Sequence, residues 1–161
     1  MINFLTFYTV PDGEGMPFPG KWVKDAPKEE ALVHYVGWEP DVQEILQALE
    51  PTVLCWAVHV MGSIPFAGHE HVTIIGDAMH AMTLHVSAGT GQAMEDACML
   101  GHLLVHDLTM RDTVPATMQI YEDRRLAFAN AVIAAACKTG LMYEFNGPEY
   151  NGMLPMDADA L

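Results

Sequence analysis

The sequence predicts an α+β fold: short strand-forming runs lie in the first half, two long helical patterns fill the second, and a Gly76-Asp77 turn with a small-residue loop joins them. Residues 2–10 (INFLTFYTV) are rich in β-branched and aromatic types and stop at Pro11-Asp12-Gly13, which predicts a strand. A strand that begins at Met1 has no frayed residues before it, so its neighbours are expected upstream or in another chain. Residues 11–28 hold four Pro and three Gly with three of the seven Lys and Arg residues and predict a surface loop. Helical spacing follows over Lys28 to Tyr35 and over Asp41 to Leu49, where Val42, Ile45, Leu46 and Leu49 share one face. Val53 to Met61 and His71 to Ile75 predict two further strands. Gln92 to Leu108 predicts a long helix. A second starts near Pro115 and is expected to stop at Gly140 as a C-cap glycine. The acidic tail after it, residues 143–161, reads as poorly ordered.

The 161 residues are enough for one domain, or for one piece of a larger unit. With 51% hydrophobic and 17% charged residues, the chain has more apolar surface to hide than its size calls for, as a fragment would. Seven Lys plus Arg against 21 Asp plus Glu give a net charge of -14, which repels a phosphate backbone and an anionic membrane alike. Nothing basic lies between Lys28 and Arg111. Cys55, Cys98 and Cys137 sit in apolar surroundings, have no CxxC spacing and are odd in number, so buried free thiols in a reducing, cytoplasmic setting are expected. The N-terminus lacks the basic and small-residue parts of a signal peptide, and the apolar stretch Leu126 to Cys137 is too short to cross a bilayer.

The chemistry is concentrated in residues 74–104, a strand, a Gly-Asp turn, a small-residue loop and a helix whose N-terminus faces that loop. Gly76 permits close backbone approach. The Asp77 carboxylate can accept hydrogen bonds from vicinal hydroxyls of a ribityl chain. The amides around Ala88 to Gly91, backed by the positive helix end, suit negative charge on the pyrimidine edge of a reduced flavin.

Gly76 to Ala97 reads GDAMHAMTLHVSAGTGQAMEDA, Gly37-Trp38-Glu39-Pro40 follows Lys28-Glu29-Glu30 at a helix's distance, and Tyr121-Glu122-Asp123-Arg124-Arg125 lies in the last helix. These segments resemble the C-terminal part of class A FAD-dependent aromatic monooxygenases of the salicylate hydroxylase type, and the resemblance covers most of residues 2–140. It implies a fragment of that hydroxylase fold: residues 1–70 part of the substrate-binding domain, 71–142 the second FAD-binding segment with C-terminal helices. It also implies FAD as cofactor, NAD(P)H as co-substrate and a small aromatic or phenolic molecule as substrate. Gly76 and Asp77 would contact the ribityl and pyrophosphate part of FAD, and Ala88, Gly89, Thr90, Gly91 and Gln92 the flavin ring. His80 would brace the turn, with Glu95 and Asp96 as scaffold.

Leu84 stands where the family has Pro, and Val86-Ser87 where it has Gln-Gly, so a positive φ at Ser87 would be strained. The chain has no G-x-G-x-x-G and therefore no βαβ unit for the ADP half. Two rival expectations follow: a flavin-free descendant acting as isomerase, cyclase or ligand-binding protein, or an inactive or split product that needs a second copy or an N-terminal half chain. His102 and His106 at i, i+4, and His69 and His71 on a strand, lack the further ligands of a metal site and read as ordinary histidines. Met79, Met82, Met94 and Met99 could line an aromatic pocket, but core filling is the better reading. Arg124 and Arg125 could steer an anionic ligand, with surface ion pairing the stronger expectation.

Overall fold

The computed structural model describes residues 4–10, 13 and 15–147; the expected tail at 143–161 falls largely outside them. The chain forms two compact units, Met1–Val58 and His59–Leu161.

In the first unit β1 (Val23–Pro27) pairs antiparallel with β2 (Thr52–Trp56), in a register running from Val23↔Trp56 to Pro27↔Thr52. Proline is tolerated at the end of β1, where its missing N–H interrupts no continuing ladder. Between the strands the chain folds into α1 (Lys28–Leu32), a 3-10 turn (Val33–Tyr35) and α2 (Pro40–Gln47). Gly37 takes φ 88, a left-handed turn, and Pro40 then supplies the φ that the first turn of α2 requires. Leu46 is the fully buried anchor of α2, and Lys28 Nζ donates to the Gln47 and Leu49 carbonyls at its end, at 2.9 and 3.4 Å.

Two expectations change here. β1 lies inside the stretch expected to be loop, and residues 4–10 form no strand. A strand needs a ladder partner, and these residues are tied down by side chains: the Tyr35 hydroxyl donates to the Phe7 carbonyl at 2.6 Å, and Tyr8 stacks on His34 with ring centroids 3.8 Å apart. The second strand also stops at Trp56, short of the expected Met61.

The second unit is built on helices. Of the expected strand at 71–75 only β4 (Val72–Thr73) forms, in a hairpin with β3 (Gly68–His69). Gly68 is required there, because a Cβ would sit 2.6 Å from the Val72 carbonyl oxygen. One helical turn, α3 (Asp77–His80), and a 3-10 turn (Leu84–Val86) lead to α4 (Gly89–Leu104), followed by α5 (Val114–Tyr143).

The inward seam of α5 runs Thr117, Met118, Tyr121, Arg125, Ala129, Ile133, Ala136, Gly140, a spacing of three or four that keeps one stripe buried. One cluster joins Tyr121 and Ala129 to Met79, Ala67, Leu100 and Leu103; a second joins Ile133 and Ala136 to Met82, Val86 and Ala88. Met79 and Met82 are thus core fillers. By length and composition alone α5 could cross a membrane, but this seam, with Arg125 in it, packs within the unit. Two polar tethers hold the preceding segment on α5. Asn130 accepts the Ile64 N–H and donates to its carbonyl, while Glu122 Oε2 accepts the Ala67 and Gly68 N–H groups at 2.6 and 2.8 Å. The expected stop at Gly140 is overturned: α5 continues to Tyr143, and Gly140 is an interior residue chosen for close packing rather than for a cap.

Candidate functional site

The Gly-Asp turn has the geometry that only glycine adopts readily. Gly76 lies at φ 60, ψ −142, and a Cβ there would meet Ala93 Cβ at 3.6 Å, an ordinary contact, so backbone conformation rather than space demands the glycine. Asp77 follows on the exposed side as the first residue of α3, while Met79 and His80 face inward and are fully buried.

The turn is held from α4 by Asp96, which is completely buried. Its Oδ2 accepts the Gly76 N–H at 2.9 Å and lies 2.6 Å from His80 Nε2; its Oδ1 accepts Arg125 Nε–H at 2.7 Å. Arg125 reaches from α5 and is only 7% exposed. Its other nitrogens donate to Glu95 at 2.8 Å and to both the carbonyl (3.2 Å) and side-chain oxygen (2.7 Å) of Gln92. A planar fork of donors thus engages three residues of α4. Burial works against the charge on Asp96, but the Gly76 N–H, Arg125 and His80 outweigh it and hold the carboxyl below the ordinary range. Burial likewise opposes the charge on Arg125, and Asp96 and Glu95 outweigh it. Burial first, and then the Asp96 carboxylate, push the Tyr121 hydroxyl upward.

The N-terminus of α4 carries no side-chain cap. Its backbone ladder begins with the Gln92 N–H on the Ala88 carbonyl, so the N–H groups of Gly89, Thr90 and Gly91 are the ones a helix leaves without an internal partner. Such an end attracts negative charge. Ser87, just before it, takes φ 51, ψ 28, the left-handed conformation that the sequence marked as strained for a residue with a Cβ.

Gly76, Asp77, Ala88, Gly89, Thr90, Gly91 and Gln92 therefore fall in two neighbouring pieces, the turn and the start of α4, linked through Asp96 and the Gly76–Ala93 approach. The Gln92 side-chain oxygen accepts from Arg125, and its N–H donates to the Ala88 carbonyl. Arg125 is the residue that sequence reasoning misplaced. Its partners lie about thirty positions away, and Arg124, its exposed neighbour, offered an equally good surface reading. Two of the histidines expected to be ordinary have local partners: His102 Nδ1–H donates to the Cys98 carbonyl at 2.8 Å, and His106 Nδ1 accepts the Leu108 N–H.

No protein-family profile matches the chain. It is similar to salicylate hydroxylase of Pseudomonas putida, 36% identical over 132 residues that make up 82% of this chain and 30% of that protein. Among solved structures it superposes on a salicylate hydroxylase substrate complex with a TM-score of 0.77 and 34% identity, over 82% of this chain and 32% of the other. Klebsiella pneumoniae HpxO complexed with FAD and uric acid gives a TM-score of 0.59 and 26% identity, over 71% and 29% of the two chains. The chain belongs to the salicylate hydroxylase-like family of FAD-dependent aromatic monooxygenases. It spans about 30% of the length of the salicylate hydroxylase it matches.

Proposed function

We propose that these residues form the flavin-facing half of an FAD-dependent monooxygenase site that hydroxylates a small aromatic or phenolic molecule. The observation that carries the reading is the Gly76 turn, fixed on α4 beside a helix end whose amides have no cap. Asp77, exposed at that turn, would accept the ribityl hydroxyls, and Gly76 would admit the pyrophosphate side of the ligand. The N–H groups of Gly89, Thr90 and Gly91 would face the electron-rich edge of the ring, with Ala88 and Gln92 setting the backbone on either side.

The chemistry that bound FAD supplies is acceptance of a hydride from NAD(P)H and activation of dioxygen. This chain's part is to place the ring, exclude water from it and stabilise charge that develops on it. The βαβ unit for the ADP half would come from outside these residues, as a longer polypeptide or an N-terminal half chain. The three thiols are free but not buried as expected, Cys98 being exposed and Cys55 and Cys137 half-buried; free thiols fit a reducing, cytoplasmic setting.

Titration of the chain with FAD, and separately with riboflavin, which lacks the ADP half, tests the reading. Saturable quenching of flavin fluorescence with a rise in melting temperature is expected for both. Quenching by neither ligand at saturating concentration removes the flavin role and leaves a flavin-free descendant as the better account.

A further inference from the structure

We propose that Asp96 is a positioning residue for the flavin site, a single buried carboxylate that sets the Asp77 turn against the first turns of α4; the inference rests on the flavin reading above. Its two oxygens do different work. Oδ2 accepts the N–H of Gly76 at 2.9 Å, and Oδ1 accepts Arg125 Nε–H at 2.7 Å. Gly76 is the residue whose backbone has the most freedom in this segment, and a hydrogen bond to its N–H selects one conformation from that range. Asp77 comes next in the chain, so its carboxylate is aimed by whatever fixes Gly76.

Arg125 carries the constraint to the other half of the site. Through Gln92 and Glu95 the guanidinium grips the same helix face whose first turn presents Gly89, Thr90 and Gly91. His80 closes the loop, lying 2.6 Å from the oxygen that holds Gly76 and standing at the far end of α3. Helix cohesion alone does not call for such a network. The α4–α5 contact already has Tyr121, Ala129, Leu100 and Leu103, and buried ionic groups hold helices together no better than apolar ones of similar size. What the network adds is direction, since each bond fixes a donor and an acceptor in line.

The test begins with the unsubstituted chain. Amide hydrogen exchange should find the Gly76 N–H protected, because its acceptor is fully buried; an unprotected Gly76 overturns the proposal without any variant. Asp96→Asn, Arg125→Lys and Asn130→Ala are then titrated with riboflavin, well below their melting temperatures. Asp96→Asn is expected to lose Gly76 protection and about ten-fold or more in riboflavin affinity. Arg125→Lys, which keeps the charge but not the fork, should fall between it and the parent. Asn130→Ala, which cuts the Ile64 tether, should melt earlier with its affinity unchanged. Affinity within two-fold of the parent in Asp96→Asn, or an equal loss in Asn130→Ala, overturns the positioning role alone. Failure of the unsubstituted chain to bind riboflavin removes the flavin reading and this role with it, whatever the exchange at Gly76.

Discussion

The imidazole of His85 fills the space beside Gly140, where a Cβ would come within 2.5 Å of Nδ1 and 2.6 Å of Cε1. The ring is fixed there, edge-on to Tyr143 at 6.2 Å and with Nε2 3.9 Å from Glu144 Oε1. A glycine inside a long helix ordinarily costs about 1 kcal/mol relative to alanine, so its presence in α5 needs a packing reason, and His85 is that reason. Gly140→Ala should therefore lower stability by about 1–3 kcal/mol as the ring is pushed aside. In a His85→Ala background the same substitution should raise stability by about 1 kcal/mol, because only helix propensity then counts. A double-mutant cycle on urea midpoints checks the reversal of sign; simple additivity would count against it.

Ser87 occupies the left-handed region at φ 51, ψ 28, and its hydroxyl gains only a long 3.5 Å bond to the Leu84 carbonyl in return. Left-handed backbone costs a residue with a Cβ about 1–2 kcal/mol, part of which glycine gives back through the extra freedom of its unfolded chain. Ser87→Gly should thus stabilise the protein by about 0.5–1 kcal/mol, and Ser87→Ala should be close to neutral. The readout is the shift in thermal and urea midpoints, and a less stable Ser87→Gly protein would show that the strain is relieved by other means.

The contiguous parts of the site were legible because each depends on neighbours in sequence. Gly76-Asp77 at the end of an apolar run, and a small-residue loop before a long helical pattern, need no knowledge of the fold. Asp96 and Arg125 depend on how α4 and α5 meet, and their sequence separation of 29 hides that. A signal was nevertheless present. Tyr121, Arg125, Ala129, Ile133, Ala136 and Gly140 recur every three or four residues, and Arg125 is the charged member of that otherwise apolar or small stripe. Taking the stripe as the buried face would have moved Arg125 indoors, demanded an acidic partner, and kept Gly140 inside the helix. Residues 4–10 show the opposite limit, where strand-forming composition meets no ladder and local aromatic contacts decide the outcome.

Asp96 also fixes how stability responds to acid. Its carboxyl is held below its ordinary value of 3.8 in the folded chain, so the unfolded chain takes up a proton at higher pH than the folded one. The stabilisation from its charged form is therefore fully present above about pH 4 and drains away as pH falls through the lower, folded value. Asp96→Asn removes this component and leaves the Arg125 charge without its buried partner, a loss of about 3–5 kcal/mol at neutral pH. Urea midpoints for the two proteins should thus stand far apart at pH 7 and converge as the solution is taken below pH 4. Parallel curves across that range would mean that the folded chain does not depend on ionised Asp96, and that Arg125 and Gly76 are held by something else.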